Sequence, residues 1–226
     1  MDRSARIDAL ERRIGYTFTN RNLLAEALTH NSVDDGAVSN FQRLEFLGDR
    51  VLGLCIASEL MSRYPEDGVG DLAKRFMVLV SGKTCAEIAR KIELGTALQM
   101  QAGSKGNTLR SSESVLADAM EVLIAALYID GGLEAARGIV LDAWDGWLDR
   151  SLDEMQNAKS QLQEHLLAVG KPLPVYQVVE RVGPDHDPLF TVEVSISGER
   201  SARARAGTKQ DAEKKAAASI LQQIGA

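Results

Sequence analysis

The chain has 226 residues, 45% of them hydrophobic and 26% charged, with a formal net charge of −6. That suffices for one large domain, or one medium and one small domain with packed cores. No apolar run approaches the ~18 residues of a membrane-spanning helix, and the N-terminus MDRSARIDALERRIG is charged and has no apolar signal core, so neither membrane insertion nor secretion is expected. The charge is uneven: from residue 159 onward nine Lys/Arg stand against eight Asp/Glu, a net of +1, and the first 158 residues carry −7. An acidic segment is commonly a solvated surface, and it is also what carboxylates collected around a metal look like. Two cysteines, Cys55 and Cys85, lie beside apolar residues and fit buried free thiols in a reducing cytoplasm.

Taken in chain order, residues 1–150 read almost entirely as helix. Apolar residues recur at helical spacing in 21–29, 42–62, 71–80, 84–93, 113–129 and 133–149, with no strand-like alternation. The polar, Gly- and Ser-rich stretch 99–112 is a loop, and the apolar rhythm fades over 151–158, a linker. Beyond it the pattern changes. Residues 160–169 are helical, 175–182 and 190–196 alternate as strands, and GPDHDP between them is a turn. Residues 200–206 suit a third strand with Arg203 and Arg205 on one face, and Thr208 is placed to cap a closing helix over 209–223. The expected division is an all-α domain over 1–150, a linker over 151–158 and a small α+β domain over 159–226. The latter is ordered α-β-β-β-α, with two helices on one face of the sheet.

Within the helical segment, FQRLEFLGDRVLG sets Glu45 and Asp49 four apart on an apolar helix. SVLADAMEVLIAALYID sets Asp118 and Glu121 three apart on another, followed by the uncharged run 122–129. Residues at these spacings share a helix face. Both pairs are expected to be buried, and unpartnered ionised carboxylates are costly to bury. Three arrangements relieve that cost: pairing with Arg43, Arg50 or Lys74, a solvent-facing helix side, or a divalent cation, for which Mg²⁺ is the default hard ion.

RLEFLGDRVL resembles the signature segment of the ribonuclease III family. IGYTF (14–18), ALTHNS (27–32), RLEFLGD (43–49), ELG (93–95) and 113–130 follow in that family's order and approximate spacing. QLQEHL, HDPLF and TKQDAEKKAA over 159–226 resemble a double-stranded RNA-binding domain. The resemblance covers essentially the whole chain. It implies an all-α nuclease domain followed by a small α+β RNA-binding domain, acting as a bacterial endoribonuclease on double-stranded RNA. By the same resemblance, Glu45, Asp49, Asp118 and Glu121 hold Mg²⁺, with Mn²⁺ able to substitute, and Asp49 and Glu121 are the catalytic pair. No organic cofactor is implied. Phe46 is either a core aromatic or, by resemblance, the side chain that enters a socket on the partner of a homodimer. Two symmetry-related sites would then cut both strands and leave short 3′ overhangs, with ribosomal and other structured RNA precursors as substrates.

For RNA contact the matching positions are Gln163 and Glu164 on the first helix of the second domain, His186 in the strand turn, and Thr208, Lys209 and Lys214 at the last helix. Duplex RNA is read largely by shape, phosphates and 2′-hydroxyls. The chain departs from the family pattern at Gln42 and Val69, where Glu is usual, and at Lys209–Gln210–Asp211, where two adjacent basic residues are usual. Lys214, Lys215, Arg203 and Arg205 are candidates to supply the missing charge. Gln42 and Val69 keep open an alternative, a non-cleaving duplex-RNA-binding regulator on the same fold. Glu113 matches the family pattern without an evident role, and His30 is read as a helix-end capping or core hydrogen-bonding residue rather than a base.

Overall fold

A computed structural model describes residues 2–33, 40–101, 109–155, 158–184, 187–196 and 200–225. The chain divides into two compact units, Met1–Arg150 and Ser151–Ala226.

The first unit is helical: α1 Arg3–Ile14, α2 Arg21–Ala27, a 3-10 turn at Asn31–Val33, α3 Asn40–Arg63, α4 Val69–Leu79, α5 Gly82–Lys91, the single turn α6 Leu94–Ala97, and α7 Glu113–Leu148. Side-chain oxygens set several of the starts. Asp2 accepts from the Ala5 N–H at 2.8 Å, Asn20 from the Asn22 and Leu23 N–H groups, and Ser81 from that of Thr84, satisfying donors that a helix start leaves open. The periodicity reads 113–129 and 133–149 as two helices. The structure joins them in one element broken at Gly132, whose φ of 78° and ψ of −177° only glycine adopts without strain.

α7 is the axis of this unit. Val122–Leu127 are buried on every side, which an all-apolar helix requires. α3 packs along it through Leu44, Val51, Leu52, Cys55, Ile56 and Leu60, and α5 through Cys85, Ala86, Ile88 and Ala89. Polar ties anchor its far end. The Trp144 indole donates to the Leu79 carbonyl at 2.8 Å, and the Tyr64 hydroxyl to the Leu148 carbonyl at 2.6 Å. Arg75, almost fully buried, donates to Asp67 at 2.8 Å and to the Arg150 carbonyl at 2.9 Å, with its guanidinium 3.7 Å from the Tyr64 ring centre. The IGYTF segment is fastened by Asp130, which accepts from the Tyr16 hydroxyl and from the Thr19 and Asn20 N–H groups.

The second unit comprises the short helix α8 Leu152–Met155, α9 Ala158–Ala168, β1 Val175–Val182, β2 Leu189–Ile196, β3 Arg200–Ala206 and α10 Lys209–Ile224. The linker read from the sequence thus contains a helical turn. The strands are antiparallel in the order β1-β2-β3, pairing Tyr176 with Val194 and Val192 with Ala204, with a bulge at Val179. Val192, Val194, Ile196, Ala202 and Ala206 pack under α9 and α10, where Leu162, Leu166, Ala212, Ala216, Ala217 and Ile220 meet them. Alanines on both sides bring helix and sheet close. The α-β-β-β-α order and the all-helical first unit agree with the fold class expected from the sequence.

One correction concerns Arg203 and Arg205. They lie on the sheet face away from α10, because Ala202, Ala204 and Ala206 take the helix side. There they pair with Glu193 at 3.0 Å and with Glu180. They cannot restore basic charge at the start of α10.

Where α3 crosses α7, Gly48 is buried, and a Cβ built on it would overlap the carbonyl of Glu121. Backbone cannot yield as a side chain does. Gly48→Ala is therefore expected to lower the stability of the chain by about 3 kcal/mol, read as a clear drop in the thermal unfolding midpoint. A variant melting within about one degree of the parent would contradict so close an approach.

Candidate active site

The Gly48–Glu121 contact decides where the carboxylates go. Glu45 and Asp49 flank Gly48 on α3, and Asp118 lies one turn before Glu121 on α7. The two pairs therefore leave their helices beside the same backbone contact. The structure brings Glu45, Asp118 and Glu121 within electrostatic reach of one another. None of the four carboxylates is fully buried, contrary to expectation; all are half-buried. The reason is geometric: backbone and Gly48 fill the centre of the crossing, and the acidic side chains fan out to its rim.

Burial first, and then the charges of Glu45 and Asp118, push the Glu121 carboxyl up to about 7, against the opposing pull of Arg50. Burial and then Asp118 raise the Glu45 carboxyl. Burial raises Asp118, with His30 acting in the opposite sense. Of the cations considered as partners, Arg50 pairs with Asp49, and Lys74 pairs with Asp71 at 3.7 Å. Among the described residues, Glu45, Asp118 and Glu121 have no salt-bridge partner. Three crowded oxygen donors that resist ionisation, with a fourth beside them, fit a hard divalent ion such as Mg²⁺ or Mn²⁺. As the side chains stand, no three His, Cys, Asp or Glu residues among those described form a ready ion cage, and Asp49 is turned onto Arg50.

His30 comes closer to this site than its sequence position indicates. The pairing of residues 28–30 with Gln99 holds it: the Gln99 N–H donates to the Leu28 carbonyl at 2.7 Å and the His30 N–H to the Gln99 carbonyl at 3.0 Å. Its Nδ1 accepts from the Ser32 N–H at 3.1 Å, its ring meets Phe41 edge-on, and it senses the charge of Asp118. The turn-capping role read from the sequence is present. The proximity to Asp118 is not legible there, because the Leu28–Gln99 pairing that creates it is long-range.

Phe46 is 66% exposed, so it is not a core aromatic of this chain. Gln42 is exposed one turn before Glu45, and Val69, 84% exposed, opens α4. Asp67 cannot replace an acid at Val69, since Arg75 holds it. Glu113 is exposed at the start of α7.

In the second unit Gln163 and Glu164 are exposed on α9. Thr208 caps α10, its Oγ1 accepting from the Asp211 N–H at 3.1 Å. Lys209 lies 3.9 Å from Glu213, and Lys214 lies 3.9 Å from Asp211. The start of α10 is thus basic only in part, with each lysine facing a carboxylate one turn away. His186 lies outside the described residues.

The raised Glu121 has a consequence for stability. The folded chain binds this proton more tightly than the unfolded one, so its contribution is present below the ordinary carboxylate pKa of 4.5 and is lost as pH climbs through about 7. With chelator present, the parent should lose on the order of 2 kcal/mol over that window that Glu121→Gln does not lose, after allowance for partial solvation. Identical slopes of unfolding free energy against pH for the two proteins would refute the assignment.

Comparison with known proteins places both units in known families. A family model described as Ribonuclease-III-like matches residues 20–144, and one described as a double-stranded RNA binding motif matches residues 158–224. Proteins named Ribonuclease 3 from Caulobacter vibrioides and Phenylobacterium zucineum are 50% and 48% identical to the chain. The first match covers all of both chains, and the second 97% of this chain and 93% of the relative. A solved nuclease domain of ribonuclease III from Campylobacter jejuni, studied for flexibility in a region involved in its dimer formation, is 37% identical. It superimposes with a TM-score of 0.58, covering 62% of this chain and 96% of its own. The chain belongs to the ribonuclease III family.

Proposed function

We propose that the chain is an endoribonuclease that hydrolyses phosphodiester bonds in double-stranded RNA, using divalent ions held by Glu45, Asp49, Asp118 and Glu121. The observation that carries this reading is the meeting of two carboxylate pairs at the α3–α7 crossing, three of the four groups without a salt bridge, in a chain that also bears a duplex-RNA-binding motif. A divalent ion bound there supplies Lewis acidity, neutralising phosphate charge and making a water acidic enough to attack. The chain's part is to hold the four oxygen donors on two helices locked by Gly48, with Asp49 and Glu121 nearest the chemistry. Gln163, Glu164, His186, Thr208, Lys209 and Lys214 hold the duplex, the lysines at a helix start that itself favours phosphate.

The working form is a homodimer, in keeping with the commonness of two-fold partnerships. Phe46, Leu54 and Met61, all more than half exposed on α3, give it an apolar surface to use, and Phe46 enters the partner. Two sites related by a two-fold axis suit the two strands of a duplex and leave short 3′ overhangs, in processing ribosomal and other structured precursors. The chain works in the cytoplasm, where its two buried free thiols stay reduced. Among the described residues, no helix is long and apolar enough to cross a membrane.

Gln42 and Val69 favour a second reading, a regulator that binds duplex RNA without cutting it. One assay separates the two. The chain is incubated with long duplex RNA, single-stranded RNA and duplex DNA, with Mg²⁺ or with chelator. Cleavage of duplex RNA alone, and only with Mg²⁺, is expected; retention of intact duplex RNA in both conditions establishes the regulator.

The partly neutralised start of α10 predicts modest, salt-sensitive affinity. Lys209→Ala/Lys214→Ala should weaken duplex-RNA binding and flatten the plot of log affinity against log salt by roughly two units of slope. Unchanged affinity and slope would place the RNA on another face.

A further inference from the structure

Arg50 is the one cation paired with the four carboxylates among the described residues. It follows Asp49 directly and lies one turn beyond Phe46. Its guanidinium pairs with the Asp49 carboxylate and stands 5.1 Å from the Phe46 ring centre. Its charge also reaches Glu121. The side chain is 65% exposed, and among the described residues these contacts hold it in place, none of them strong. An ion bound through Asp49 needs oxygen lone pairs that Arg50 now engages, and it also meets the repulsion of a guanidinium beside the site. One monovalent group and one divalent ion therefore compete for one carboxylate.

We infer that Arg50 is a resident counter-cation of the carboxylate site, which a divalent ion must displace from Asp49, so that this arginine sets the ion concentration at which the site fills. The inference rests on the metal reading proposed above. Its physical content is an exchange: with no ion bound, Arg50 offsets part of the repulsion at the α3–α7 crossing, and on ion binding it swings outward from Asp49. The swing is open to it because the side chain is exposed. The exchange would free Asp49, which Arg50 now engages, to join the other three carboxylates.

The test reads ion binding directly, without RNA or turnover. Free Mn²⁺ is followed by electron paramagnetic resonance as it is titrated into the full chain, into Arg50→Gln, into Arg50→Lys and into Arg43→Gln. Arg43 is an exposed arginine on the same helix and controls for a simple loss of positive charge. Arg50→Gln should bind Mn²⁺ roughly two- to fivefold more tightly than the parent, the range expected for loss of a partly exposed ion pair. Arg50→Lys should fall between them, and Arg43→Gln should match the parent. Because Arg50 is exposed, its replacement leaves the core intact, and a single cooperative thermal transition confirms that each variant is folded. Equal or weaker Mn²⁺ binding by Arg50→Gln, or equal tightening by Arg43→Gln, overturns the inference while leaving the metal reading in place. If the parent binds no Mn²⁺, the metal reading falls and the inference with it.

Discussion

The site depends on one steric fact: α3 and α7 approach so closely at Gly48 and Glu121 that no side chain fits between their backbones. Ordinary helix packing keeps axes about 8–10 Å apart and fills the gap with side chains. Here glycine removes the spacer, and Glu45, Asp49, Asp118 and Glu121 all leave the two helices around one contact. Neither helix alone holds more than a pair. The uncharged run 122–127 makes the contact rigid, because its residues are enclosed on all sides and α7 cannot roll without exposing them.

That geometry sets the electrostatics. Carboxylates at the rim of a dry crossing are partly desolvated and crowded, and both effects resist ionisation. Glu121, amid the charges of Glu45 and Asp118, is pushed up to about 7, and Asp49 pairs with Arg50. A fully buried set would have needed permanent partners and could not exchange them. Partial burial allows the charges to gather while leaving room for a cation to come and go.

The family and the fold class were legible in the sequence, the first from the order of motifs that resemble the family across both segments, the second from apolar period and alternation. Apolar period placed α3, α5 and both halves of α7, and alternation placed β1 and β2. Elements with a thin apolar face were harder to read: α1 buries little beyond Leu10 and Ile14, and α6 and α8 are single turns. Depth of burial was overestimated because spacing tells which residues share a face, not whether a neighbour covers it. The pairing of Asp49 with Arg50, rather than with Arg43 or Lys74, required side-chain directions. The outward placement of Arg203 and Arg205 follows from alternation once the neighbouring alanines are assigned to the core, a choice that residue size alone would have made.

The two units differ in how they use charge, and the difference bears on the departures at Gln42, Val69 and the start of α10. In the first unit negative charge is concentrated beyond what the side chains neutralise among themselves, a configuration suited to a cation and then to a phosphate brought with it. In the second, Lys209, Lys214, Arg203 and Arg205 each face a carboxylate of the same domain. Such a surface favours RNA weakly and at short range. Gln42 in place of an acid, one turn before Glu45, leaves less negative charge beside the α3–α7 crossing, which lowers the repulsion an approaching duplex meets there. A less basic RNA-binding unit and a less acidic rim act in opposite directions on duplex affinity, so each departure offsets part of the other.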